Sequence, residues 1–174
     1  MVESRTDYRP YQTRRAYFLG VFNGVVFALG AAFADPSTVL PSFVSRLTDS
    51  QVAVGLISAI GQGGWYLPQL IAASYVHSRP HKRPVYILAA LLRCSGWVVL
   101  IPFVFAFGGH HASLTLVMFF LGYSLYAFGG GFGGVAFLDI VAKTVPPNRL
   151  GSFFGHRQFW GSLGGVAVGE LVHL

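Results

Sequence analysis

Five stretches of this chain are apolar for about the twenty residues that a helix needs to cross a bilayer, and short polar segments divide them. They cover residues 16–44, 51–76, 85–107, 114–142 and 153–174. A chain patterned in this way has few folds open to it. Lipid supplies no partners for backbone amides, so each crossing must satisfy its own and be helical. The cations then set the sidedness. Counting Lys and Arg in the polar segments gives four before the first stretch, then one, three, none and three. Because cations collect on the cytoplasmic side, the alternation predicts an all-α membrane protein, a polytopic helical bundle of about five transmembrane helices. Its N-terminus is cytoplasmic, and the expected location is an inner or plasma membrane.

The segment 76–84, V-H-S-R-P-H-K-R-P, anchors that frame by crowding Arg79, Lys82 and Arg83 into one short hairpin loop. Composition agrees: 10% of the residues are charged, where a soluble domain carries about a quarter. A net charge of +6 raises the question of nucleic acid. The cations, however, lie in separated clusters between apolar runs and form no stripe, so sidedness accounts for them and no nucleic-acid partner is expected. Cys94 is the single cysteine, which rules out an internal disulfide.

Residues 1–15 form a basic, cytoplasmic tail. The stretch 16–44 is broken by Asn23, Asp35, Pro36 and Pro41, and its length allows a tilt or kink. Ala32-Phe33-Ala34 and Arg14-Arg15 are similar to pieces of export signals, but four further apolar stretches argue against a cleaved, soluble product. Asp35 has two readings. It is either a carboxylate at the outer interface, ended by Pro36, or a carboxyl that resists ionisation on an apolar helix and carries a proton.

Thr48-Asp49-Ser50-Gln51 has the spacing of a capping box, so Thr48 is the expected cap of the second span. Within that span Ser58, Gln62, Trp65 and Gln69 share one helical face. Interhelical hydrogen bonding and cavity lining are both open, and each buries the face in a bundle. Arg93 lies roughly 12 Å into the third span. It either snorkels to the cytoplasmic interface or is held as a buried charge, and Asp139, near the inner end of the fourth span, is the expected partner. His110 and His111 are neighbours in a loop with no third ligand, so no metal is expected. The run 129–134, G-G-G-F-G-G, lacks the Lys-Ser/Thr of a phosphate loop and reads as close helix packing. The segment 143–157 is again basic, with Lys143, Arg149 and Arg157, and Pro146-Pro147 interrupts the helix. Gly161, Gly165 and Gly169 recur every fourth residue as a helix-contact stripe. No nucleophile–base pair or ligand cluster points to an enzyme, and no cofactor is expected.

Two segments carry a family resemblance. In the loop between the second and third spans, Ala73, His77, Pro80, His81, Lys82 and Arg83 follow the register of a motif of the major facilitator superfamily. That motif runs glycine, aspartate, glycine and basic residues; here the basic end is kept and the other three positions are replaced. Residues 138–155, L-D-I-V-A-K-T-V-P-P-N-R-L-G-S-F-F-G, look like the same family's link between spans four and five. The proline of the family's antiporter signature is absent from the fifth span, so antiport is not implied. The chain thus resembles the N-terminal half of a major facilitator superfamily transporter, cut within the fifth span of a fold with two six-span halves.

The resemblance implies alternating access, with a solute bound near mid-membrane and a second half completing the path. Spans one, two, four and five would line the cavity. Asn23, Ser58, Gln62 and Gln69 become candidate solute contacts, and Asp35 the candidate for coupling to protons. His77, Arg79, Lys82, Arg83, Arg93, Asp139 and Arg149 become a cytoplasmic charge network acting as a gate. The implied partners are the lipid bilayer, a small-molecule substrate and possible coupling protons. A reading from a different class remains open: a small non-transporting scaffold or assembly protein that uses the glycine stripes as interfaces.

Overall fold

The computed structural model describes residues 10–77 and 83–173, and every regular element among them is helical. In chain order these are α1 (Pro10–Phe33), α2 (Val39–Ser45), α3 (Gln51–His77), α4 (Arg83–Phe107), α5 (Ala112–Thr144), a short 3-10 turn (Pro147–Arg149) and α6 (Leu150–His173). Among the described residues three segments are long and apolar enough to cross a membrane: Arg14–Phe33, Arg83–Phe107 and Ala112–Thr144.

The first apolar stretch is not one kinked helix. It stops at Phe33, turns through residues 34–38, and resumes as α2. Pro36 has no amide proton to continue the helical ladder, and its ring disfavours helical geometry at Asp35. Seven residues of α2 span only about 10 Å, too little to cross anything. Instead Leu40 and Val44 are buried in one core with Ala53 and Ile57 of α3.

The cap of α3 also differs from expectation. Ser50, not Thr48, holds the helix start: its carbonyl accepts from the Val54 amide, and its hydroxyl accepts from the Ala53 amide at 3.4 Å. Thr48 acts one step earlier, its hydroxyl accepting from the Ser50 amide at 3.2 Å. Both residues satisfy donors that a helix start leaves open. Ser50→Ala is expected to cost about 1 kcal/mol in unfolding experiments, and Thr48→Ala less.

The chain divides into two compact groups. One holds α2, α3, α4 and α5 as far as Leu138; the other holds α1, the end of α5 and α6. In the first group the closest helix approaches are made by small residues, beside a core of Leu40, Val44, Ile57, Leu100, Phe119 and Tyr123. A Cβ placed on Gly131 of α5 would lie 2.6 Å from the Trp65 carbonyl oxygen and 2.8 Å from that of Gly64, both on α3. Pro68 explains why the Gly64 oxygen is approachable, since it lacks the amide that would bond to it four residues earlier. On the opposite side Gly129 meets the Ala89 carbonyl and Arg93 of α4, and Gly96 of α4 meets Gly122 of α5 backbone to backbone. The glycine run therefore lets α5 approach two neighbours closely.

The outward faces are the reverse of a soluble bundle. Phe105 is 89% exposed, Leu70 75% and Val52 74%, although Phe119, Phe153, Ile57 and Val44 are fully buried beside packed Gly, Ala and Pro. Large apolar side chains spread over the outward faces suit a surface that meets lipid.

Candidate functional site

In the second group, α1 and α6 lie side by side. Gly20 faces Phe153, Gly24 faces Arg157 and Ala28 faces Gly161, so a step of four on one helix matches a step of four on the other in the same direction. The two helices are parallel. Their contact stripe on α6 continues through Gly164, against Leu29, to buried Val168. It departs from the expected glycine stripe after the first member. Gly161 packs on α1, but Gly165 and Gly169 meet no side chain among the described residues, and Gly165 instead faces a groove.

That groove, of about 390 Å3, runs between the two helices. Gly24, Phe27, Ala28, Ala31, Ala32 and Asp35 line it from the α1 side, and Arg157, Gln158, Gly161, Ser162 and Gly165 from α6. Arg157 is the cation within it. Its stem lies across Gly24, where no side chain stands in the way. Its guanidinium donates to the Gly20 carbonyl at 3.3 Å and sits 5.9 Å from the Phe27 ring centre. Gln158 donates to the Ser162 hydroxyl at 3.3 Å, one turn along the same helix. Glycines on both walls keep the floor open to a guest, while an arginine fork and two neutral hydrogen-bonding groups supply polarity.

A second polar cluster ties the same helices together nearer their start. The Tyr17 hydroxyl lies 2.9 Å from both Ser152 Oγ and His156 Nδ1. His156 Nδ1 is also 2.8 Å from the Ser152 carbonyl, which can only accept, so this contact selects the tautomer protonated at Nδ1. His156 and Ser152 border a second cleft of about 380 Å3 with Phe159 and Trp160. Removing the hydroxyl with Tyr17→Phe is expected to lower stability by about 1 kcal/mol, with His156→Gln costing no more in a Tyr17→Phe background than alone.

The expected site residues fare differently. Asp35 is not on an apolar helix; it lies in the turn after α1 and borders the groove, where it has a partner. Asn23 is exposed on α1 beside Gly24 and is likewise engaged. Ser58 and Gln62 are exposed, and Gln69 is half-buried. Their face is not the packed one, because α3 packs through Ala53, Ile57, Gly64, Pro68 and Ala72. Three of those five, Ile57, Gly64 and Pro68, stand one position before Ser58, Trp65 and Gln69. One residue turns a helix by about 100°, which carries Ser58 and Gln62 away from the contact, while the Trp65 ring still reaches Gly130 of α5.

Arg93 lies over the Tyr126 ring, 4.2 Å from its centre, with Trp97 edge-on to that ring. A Cβ on Gly130 would lie 3.0 Å from both Arg93 Nη1 and the Trp65 ring, so the cation is seated among aromatic rings. Asp139 forms an ion pair with Lys143 one turn on, at 2.8 Å, off the axis of a good hydrogen bond although its Oδ2 is shut from water. Lys143 is largely exposed, so such a pair contributes little to stability. Arg83 and Arg149 are exposed, the latter ending the 3-10 turn. Arg79, Lys82 and the side chain of His77 lie outside the described residues. Among the described residues no three His, Cys, Asp or Glu come together to hold a metal.

Tyr17, Ser152, His156 and Arg157 as site residues were not legible from the sequence. One signal was available for Arg157: it falls inside the apolar stretch 153–174, although by charge it groups with the basic segment before it. No protein-family model, characterised protein or solved structure matches this chain.

Proposed function

We propose that the chain forms part of a secondary transporter that carries a small solute across a membrane by alternating access, with the α1–α6 groove on the solute's path. The observation that carries this reading is the groove itself. A cleft of solute size, holding Arg157, Gln158, Ser162 and Asp35, opens between two glycine-lined helices whose outer faces are apolar. A cation within a spanning helix costs roughly 3 kcal/mol at mid-bilayer, so an arginine there belongs to a polar cavity or a functional contact.

The parallel pairing supports five crossings. If α1 crosses outward, a helix in register beside it crosses in the same sense, and the chain between them must cross an odd number of times. Helix α2 is too short to contribute, so α3, α4 and α5 supply the three. This is also the topology read from the cations, and it agrees with the resemblance to the major facilitator superfamily. On that resemblance a second half completes the path, protons drive the solute, and the protein resides in an inner or plasma membrane.

The test is uptake into proteoliposomes across a panel of labelled sugars, amino acids, carboxylates and phosphate, with pH recorded inside. Uptake above empty vesicles is expected for at least one solute, with an initial rate lowered at least tenfold by Arg157→Gln. Asp35→Asn abolishes solute-dependent acidification if Asp35 carries the proton. A complete panel with no accumulation rejects the transport reading.

A further inference from the structure

The groove between α1 and α6 also indicates what kind of solute it takes. Its cation, Arg157, is carried on α6, and the stem is laid across Gly24 so that the guanidinium reaches back to the Gly20 carbonyl and beside the Phe27 ring. These contacts hold the fork in place rather than leaving it to swing. A planar fork held in this manner matches the two oxygens of a carboxylate or phosphate, and its interaction strengthens where water is excluded. One position further along, Gln158 presents an amide, and a turn beyond it the Ser162 hydroxyl accepts from that amide and so has its own proton to donate. Both are neutral donors suited to further oxygens.

We infer that the α1–α6 groove is an oxyanion site in which Arg157 grips a carboxylate or phosphate group, with Gln158 and Ser162 as neutral donors. Resting on the transport reading, this makes the solute a small organic or inorganic anion. The same chemistry is offered by the phosphate of a lipid headgroup, so the test separates the two sources.

The chain is reconstituted in nanodiscs of phosphatidylcholine alone, and thermal unfolding is followed with succinate, inorganic phosphate, glucose or choline. Succinate or phosphate raises the melting temperature, and glucose and choline do not. Arg157→Gln removes the anion effect, and Arg157→Lys, which keeps the charge and the stem, weakens apparent affinity about tenfold by losing the fork. The comparison among solutes on the unmodified chain stands even if a variant folds poorly. In the second arm phosphatidylglycerol replaces part of the lipid. Stabilisation by that lipid alone, with no effect of the free anions, overturns the solute assignment and makes Arg157 a headgroup ligand. No response to either source overturns the oxyanion site altogether. Uptake of glucose or choline that Arg157→Gln leaves unchanged overturns the anion assignment while transport stands. Succinate binding without uptake of any solute keeps the site and rejects transport.

Discussion

Gly131→Ala is expected to destabilise the α3–α5 contact by about 1 kcal/mol net. Two effects oppose each other. Alanine is the better helix former by about 1 kcal/mol, which favours the substitution. Its methyl would lie 2.6 Å and 2.8 Å from two carbonyl oxygens of α3, and overpacking of this kind costs about 1–3 kcal/mol. Backbone oxygens cannot rotate aside as a flexible side chain does, so the collision wins. Gly30→Ala and Gly55→Ala are the matched controls, since a Cβ at either position meets open space. They are expected to be neutral or slightly stabilising. Denaturation in detergent, followed by circular dichroism, gives the comparison, and equal stability of Gly131→Ala and Gly30→Ala would remove the account of the glycine run.

The second large effect is on function rather than stability. Gly24→Ala is expected to lower uptake at least tenfold while unfolding within about 1 kcal/mol of the parent. Its new Cβ would crowd the Arg157 stem, coming within 2.8 Å of Cδ and Nε. A long side chain escapes such a clash by moving, which protects stability but displaces the guanidinium from the groove. Gly20→Ala is the instructive contrast. There the methyl would meet the ring of Phe153 at 2.6 Å and 2.8 Å, and Phe153 is fully buried. A buried ring has nowhere to go, so Gly20→Ala is expected to lose stability by about 1–3 kcal/mol. Parallel measurement of uptake and melting temperature for the two variants separates the roles. Equal losses of both quantities in both variants would contradict a poised Arg157.

Long apolar runs announced their helices well, even with Pro68 inside α3 and Pro102 inside α4. Helix α4 at Arg83–Phe107 and α5 at Ala112–Thr144 lie within two residues of the stretches read from hydropathy. The first stretch misled because hydropathy integrates across Pro36, while the backbone does not. On α3, spacing puts Ser58, Gln62, Trp65 and Gln69 on one face, but spacing alone does not say which face a neighbour covers. That choice was made by Gly64 and Pro68, where α5 can come closest. The candidate site was the least legible part. Tyr17 with His156, and Gly24 with Arg157, are ordinary residues within their own helices. Only the parallel register of α1 and α6 joins them, and contacts between segments so distant in the chain leave no local periodicity to read.

The arrangement of crossings is the claim on which the groove's function depends, and labelling with a membrane-impermeant maleimide tests it most directly. Single-cysteine variants Asp49→Cys, Gly109→Cys and Asn148→Cys are made in a Cys94→Ser background, where Cys94 is otherwise exposed. These positions fall between α2 and α3, between α4 and α5, and in the 3-10 turn before α6. The account expects positions 49 and 109 to react in intact cells, and position 148 only once the membrane is opened. If α3 does not cross, positions 49 and 148 react together from outside and position 109 is protected. That result would contradict five crossings and, with them, the transport path.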